Sequence, residues 1–215
     1  MADADQASLA ALTDWLRRFA AAVARDERHL TDLDAKIGDA DHGSNLRRGT
    51  AAVVEALDAD PPGDVGAAFK QAGMTLVKTV GGASGPLYGT FMLRFGTTAG
   101  AVDALDATAL GTALRAGYDG VVARGKAEPG DKTMVDVLEP CLTVFDEAVA
   151  GGAGAAAAAR AAADAAPERR DATAPLLARK GRASYLGERS VGHVDPGSAS
   201  TTLLLESLAD ALAGP

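Results

Sequence analysis

Leu9-Ala10-Ala11-Leu12-Thr13-Asp14-Trp15-Leu16-Arg17-Arg18-Phe19-Ala20-Ala21-Ala22-Val23 carries its recurring apolar residues at Leu9, Leu12, Leu16, Phe19 and Val23. Those spacings alternate three and four, which puts the side chains on one face of an α-helix. The stripe predicts a helix from about Asp5 to Arg28, then a polar, glycine-containing turn from Thr31 to Gly43. The same period continues outward. Leu46, Val53 and Leu57 mark a second helix, stopped by Asp60-Pro61-Pro62-Gly63. Asp64 can cap a third, bearing Val65, Phe69, Ala72 and Leu76, because its side chain can accept an otherwise unpaired N–H of the first turn. Pro86 suits the first turn of a fourth, which carries Leu87, Phe91 and Phe95 and ends near Gly96.

Further helices are expected over about Asp106 to Arg124, Thr133 to Val149, Ala155 to Ala166 and Ser200 to Ala213. Alanine propensity alone makes the Ala155–Ala166 stretch helical, with little core of its own. Phe91-Met92-Leu93-Arg94-Phe95 could form a strand in isolation, but Pro86 and the flanking pattern fit a helix better. The expected fold class is all-α: about eight helices in one domain over residues 1–215.

Composition narrows the function. Hydrophobic residues make up 47% and charged residues 23%, which is globular rather than disordered composition. Aromatics are only 4%, so the core must come mainly from Ala, Leu and Val in closely packed helices. A net charge of −8 argues against nucleic acid held on a broad basic face. The single cysteine, Cys141, excludes an internal disulfide and a cysteine-based zinc cluster, and its apolar helical setting predicts buried packing. No stretch is long and apolar enough to predict a membrane span. Met1-Ala2-Asp3-Ala4-Asp5 is acidic and lacks the basic start of a signal peptide, so a cytoplasmic location is expected.

The breaks between helices hold the chemistry. Asp34-Ala35-Lys36-Ile37-Gly38-Asp39-Ala40-Asp41-His42-Gly43-Ser44-Asn45 packs three carboxylates into eight residues. Gathered together they repel unless a cation sits among them, and hard oxygen ligands suit Mg²⁺ or Ca²⁺. An EF-hand does not fit, because His42 replaces the third ligand and Thr50 stands where the closing Glu belongs. A polar turn with helix-capping Asp residues is the plainer alternative. Gly81-Gly82-Ala83-Ser84-Gly85 precedes a helix whose free N–H groups would attract an anion, but no Gly-Lys-Ser/Thr follows to make a Walker loop. Ser44-Asn45 opens another helix in the same way. Arg182 could fork onto a phosphate or form a surface ion pair. Asp195-Pro196-Gly197 reads as a turn, His193 as loop, and His29 as the cation at the end of the first helix. Alternate connections of a bundle share an end, so several of these breaks could converge.

Asp34-x4-Asp39-x-Asp41-His42-Gly43-x-Asn45, the run Gly81 to Gly89, Gly130-Asp131-Lys132-Thr133-Met134, Gly181 to Arg189 and Asp195-Pro196-Gly197-Ser198 occur in that order. With these motifs the chain resembles the nucleotide-binding L subunits of dihydroxyacetone kinases over nearly its whole length. The resemblance implies an eight-helix antiparallel barrel with ADP or ATP at one end. It implies that Asp34, Asp39 and Asp41 hold two Mg²⁺ ions. It places phosphate and nucleotide contacts on His42, Gly43, Ser44, Asn45, Ala83 and Ser84. Ribose and adenine contacts fall on Gly125, Met134, Arg182, Asp195, Pro196 and Gly197.

The nucleophile is not in the chain: in such enzymes a partner K subunit binds dihydroxyacetone covalently on a His. In the phosphotransferase-linked form ADP stays bound and a phosphohistidine M subunit rephosphorylates it. In the other form K and L parts are fused and ATP exchanges. No K part is present in this sequence, which favours separate subunits; a homodimer is compatible with it. The competing readings are an ATP-exchanging kinase subunit for another small carbonyl or polyol, and a non-catalytic nucleotide- or lipid-binding barrel.

Overall fold

The computed structural model describes residues 6–214. The expected helical start at Asp5 and the acidic Met1–Asp5 stretch lie outside the described residues. Eight α-helices are described: α1 (Leu9–Ile37), α2 (His42–Ala59), α3 (Val65–Thr79), α4 (Ser84–Ala99), α5 (Ala107–Gly125), α6 (Val135–Ala150), α7 (Ala155–Asp171) and α8 (Pro196–Leu212). A 3₁₀ segment over Arg182–Ser190 precedes α8. Each helix packs on the next, and α8 packs back on α1, so the ring closes into a barrel. Short connections make sequential neighbours from α1 to α7 antiparallel, and a longer segment, residues 172–195, leads from α7 to α8. No described helix is long and apolar enough to cross a membrane.

Helix α1 continues to Ile37 instead of stopping near Arg28. Leu30, Leu33 and Ile37 resume the apolar stripe two turns after Val23, and the charged run between is exposed or half-buried. His29 is therefore a mid-helix residue, not a C-terminal cation. Ser8 caps α1 by accepting the Ala11 N–H at 3.1 Å. Asp64 caps α3 as expected, accepting the Ala67 N–H at 2.7 Å. The last helix begins at Pro196, not Ser200: Asp195 is its cap and the proline fills the first position. A short antiparallel pair, β1 (Ala7–Ser8) and β2 (Ala104–Leu105), ties the start of α1 to the approach to α5. It is too short to leave an alternation in the sequence.

Most of the few aromatic residues are buried, and Trp15, Phe69 and Phe95 cluster inside the barrel. Trp15 lies 5.4 Å from Phe69 and 5.7 Å from Phe95, and the Phe69 and Phe95 rings are 4.1 Å apart. The Trp15 indole N–H donates to the Leu204 carbonyl at 2.8 Å, which joins α1 to α8 across the seam. These rings fill the interior, which argues against an acyl chain there. Around them, small residues let backbones approach. Helix α7 is better anchored than its composition suggests, since Ala155, Ala158, Ala159, Ala162, Ala163 and Ala166 are all buried. Cys141 is fully buried, and burial pushes its thiol up to about 12.

Helix α3 packs closely on α4. A Cβ on Gly89 would come within 2.5 Å of Val77 Cγ2 and 2.9 Å of the Gly73 carbonyl. Gly89→Val should therefore cost about 1–3 kcal/mol of stability through overpacking. Gly63, with nothing within 4 Å of a built Cβ, should accept alanine without loss. Thermal melts of the two variants beside the wild type check the contrast.

Candidate functional site

Helix ends place the site. The last turn of α1 brings Asp34, and the turn after it brings Asp39 and Asp41, with Ala40 between them in a left-handed conformation at φ 61°. One ligand oxygen from each of Asp34, Asp39 and Asp41 lies within 4.8 Å of the others. Asp34 is buried, and its Oδ2 accepts the backbone N–H groups of Asp41 at 2.9 Å and His42 at 3.2 Å. The end of α1 thus grips the start of α2. Gly38 is required beside it, because a Cβ there would fall 1.9 Å from Asp34 Oδ1. Asp39 accepts a 3.0 Å ion pair from Arg182 Nη2. That pair is largely solvent-exposed and worth little by itself. Hard oxygen donors of like charge in one cluster fit a small divalent cation such as Mg²⁺.

Glycine and the start of α4 line another wall. Neither α2 nor α4 has its own N-cap side-chain bond; the His42 N–H of α2 goes to Asp34 instead, and the first turn of α4 presents its backbone N–H groups. Such termini attract anions. Gly82 adopts φ 66°, a left-handed turn that brings the chain into Ala83 and Ser84. Behind this wall runs a buried polar chain. Ser84 Oγ lies 3.0 Å from His42 Nδ1, His42 Nε2 lies 2.9 Å from Ser200 Oγ, and Tyr88 Oη lies 2.7 Å from Ser200 Oγ. Ser200 also donates to the Gly197 carbonyl at 3.0 Å. One tautomer satisfies all of these bonds: the proton on Nε2 donates to Ser200, and Nδ1 accepts from Ser84. Burial holds His42 down to about 4, so the ring is neutral at neutral pH. Burial likewise pushes the Tyr88 phenol up to about 12.

The breaks do converge. Asp34, Asp39, Asp41, His42, Ala83, Ser84, Met134, Arg182, Asp195, Pro196 and Gly197 all line one cleft. Gly125 lines the adjoining, more apolar recess with Pro86, Leu87, Val121 and Met134. Three expected residues stay out of this lining. Gly43 is where α2 rests on α1, since a Cβ would meet the Glu27 carbonyl at 2.1 Å. Ser44 caps its own turn, donating to the Asp41 carbonyl at 3.1 Å. Asn45 is buried behind Gly81 and accepts from Arg48 at 2.7 Å. Tyr88, Ser200, Lys132 and Thr173 were not singled out from the sequence. Their signal was polar residues embedded in apolar helices, such as Ser198 to Thr202 before a run of leucines.

An all-α ring whose open end gathers three carboxylates, two helix N-termini and an apolar recess is a helical barrel with a rim built for a charged ligand. Residues 36–210 match the DAK2 domain, and the chain belongs to that family. It is 45% identical to the ADP-binding subunit DhaL of the PEP-dependent dihydroxyacetone kinase of Escherichia coli, covering 92% of this chain and 94% of the relative. It is 40% identical to the DhaL subunit of the PTS-dependent enzyme of Lactococcus lactis, covering 93% and 96%. A D-erythrulose kinase of Mycolicibacterium smegmatis is 36% identical over 89% of this chain and 33% of its own length. The crystal structure of the dihydroxyacetone kinase of C. freundii superposes with a TM-score of 0.71 at 27% identity, over 93% of this chain and 34% of that one. The same enzyme in complex with AMP-PNP and Mg²⁺ gives 0.70. These relatives are kinases or kinase subunits, hence phosphotransferases.

Asp195 makes the site pH-sensitive. Burial raises its carboxyl from 3.8 to about 7, against the Ser198 N–H bond and Lys132, which favour the charged form. Between those two values the folded chain binds more protons than the unfolded one, so this group lowers stability as pH rises from about 4 to 7. Asparagine can keep the cap without a charge. Asp195→Asn should melt near the wild-type temperature at pH 4 and a few °C or more above it at pH 8. Melting curves across that range check the sign.

Proposed function

We propose that this chain is the ADP-binding subunit of a phosphotransferase-linked dihydroxyacetone kinase. The observation that carries the reading is the set of three carboxylate oxygens within 4.8 Å of one another, at the start of α2 and in one cleft with the start of α4. The identities of 38–45% to four DhaL subunits support it, against 30–36% to the erythrulose kinases and the triokinase among its relatives.

On this reading Asp34, Asp39 and Asp41 hold two Mg²⁺ ions, which when bound neutralise phosphate oxygens during transfer. The two N–H groups bonded to Asp34 hold its carboxylate in place before the ligand arrives. Ser84, whose hydroxyl proton goes to His42, offers its backbone N–H, and the N–H groups left free in the first turns of α2 and α4 donate to phosphate oxygens, with dipoles that need no reorganisation. His42, neutral and anchored on Ser200, keeps the Ser84 hydroxyl oriented. Gly43, Ser44 and Asn45 shape the start of α2 that carries these donors. Arg182 adds a cation beside Asp39. Pro86, Leu87, Gly125 and Met134 take the apolar base, and Asp195, Pro196 and Gly197 border the ribose.

The acceptor, dihydroxyacetone, is held covalently on a His of a K subunit that docks over the cleft. The phosphoryl group returns to ADP from a phosphohistidine M subunit, and the compartment this cycle implies is the cytoplasm. The erythrulose kinase relatives favour one variant: the same site serving another small ketose chosen by the partner.

Mass analysis of the purified chain should find ADP retained with Mg²⁺ and released by EDTA; free exchange of ATP would instead favour the fused-type cycle. Asp39→Ala and Asp41→Ala should each weaken Mg²⁺-dependent binding of fluorescent mant-ADP at least about tenfold, with an unchanged helical circular dichroism spectrum. Unaltered affinity in both variants contradicts the metal assignment.

A further inference from the structure

Lys132 is a buried lysine whose partners are not carboxylates. It is 1% exposed, and its Nζ donates to the carbonyls of Thr173 at 2.9 Å, Ala174 at 3.0 Å and Leu176 at 3.1 Å. An ammonium has three donors, and all three are used here. Lysine is almost never buried to this degree unless paired. The carbonyls belong to the turn that follows α7, where a helix C-terminus favours a cation.

The backbone adds a second observation. Lys132 sits at φ 63°, in the left-handed region, where glycine would be relaxed and lysine is strained. The conformation is imposed from outside: Asp136 accepts the Thr133 N–H at 2.7 Å and also binds the Gly130 N–H. Backbone geometry alone would therefore favour glycine at 132. The reason for a lysine lies in its side chain.

That side chain joins the walls of the cleft. Thr133 and Met134, the next residues, line one wall; Lys180, Gly181, Arg182 and Ala183, at the end of the segment it holds, line another. The neighbouring Asp131 carbonyl accepts the Arg179 N–H at 3.1 Å. Thr173 Oγ1, on a residue held by Lys132, accepts the Asp195 N–H at 3.1 Å. Ser198 Oγ donates to the Thr133 carbonyl at 2.8 Å. Three walls from distant parts of the chain are thus tied through one loop.

We propose that Lys132 is a positioning residue: its ammonium pins residues 173–176 and so holds the 180–183 wall against Met134, setting how long the nucleotide stays bound. This rests on the nucleotide reading of the cleft. The pin should act on the release rate, since the phosphate end of the site does not depend on it.

The test uses the full chain with Mg²⁺ and mant-ADP. Lys132→Met keeps an unbranched stem and removes all three donors. Stopped-flow displacement should show release faster by at least about tenfold, and hydrogen exchange should show lost protection confined to residues 172–192. Release at the wild-type rate from a folded Lys132→Met overturns the proposal. Should that variant not fold, wild-type exchange decides: residues 172–182 must be protected before nucleotide is added, and rapid exchange there in the nucleotide-free chain overturns it. Failure of the wild type itself to bind mant-ADP would sink the nucleotide reading, while the exchange data would still judge the pin.

Discussion

The Asp34 carboxylate holds two roles that cannot be separated. Its Oδ2 takes the N–H groups of Asp41 and His42, so the negative group lies at the positive end of α2. That bond fixes the turn between the first two helices, and the same turn carries Asp39 and Asp41. The acidic trio is therefore not assembled from independent surface residues. It follows from joining α1 to α2 at this angle, and Gly38 and Gly43 are the absent side chains that permit the angle. Like charges are kept together by the closure of the barrel, and a divalent ligand would relieve a repulsion the fold has already imposed.

Closure of the ring explains how such an aromatic-poor chain holds a rigid rim. The rings of Trp15, Phe19, Phe69, Tyr88, Phe91 and Phe95 are concentrated inside the barrel, while alanine and glycine line the helix contacts. Close backbone approach replaces large side chains as the source of packing. Helices held this closely deliver their ends to defined positions. Tyr88 shows the coupling: its ring packs 5.8 Å from Phe19, and its hydroxyl supports Ser200 and, through it, His42. One residue belongs to the core at its ring and to the site at its oxygen.

Much of this was legible in residue order, and the exceptions have physical causes. Apolar periodicity located seven of the eight described helices, because burial of one face demands it, and alanine propensity located α7. Helix ends were less legible. Arg25-Asp26-Glu27-Arg28 looks like a stop, yet one charged turn does not end a helix whose stripe resumes at Leu30. Asp195-Pro196 was read as a turn, although a capping Asp followed by proline is also how a helix begins. Asp34, Asp39 and Asp41 were found because chemistry and proximity in sequence coincide there. Lys132 lies within the Gly130–Met134 motif, but the motif does not show what its side chain binds. Its partners lie 41 to 44 residues away, and nothing in local spacing encodes backbone carbonyls as ligands.

The two ends of the cleft are consequently built on different principles. The acidic end is local: residues 34 to 42 supply its carboxylates, and the start of α2 follows directly in sequence. The other end is assembled over long range, from the α5–α6 loop, the segment after α7 and the start of α8, tied by Lys132, Thr173 and Ser198. A local site tolerates small shifts of the barrel, since its parts move together. A site made of three separate walls keeps its width only while the ties between them hold, and in a chain with so few large side chains those ties must be polar. Buried polar ties are favourable only when fully satisfied, and no buried side-chain nitrogen or oxygen among the described residues lacks a partner. The strain at Lys132 and the raised pKa of Asp195 are thus costs on one side of the cleft, offset by a bonded network that positions it.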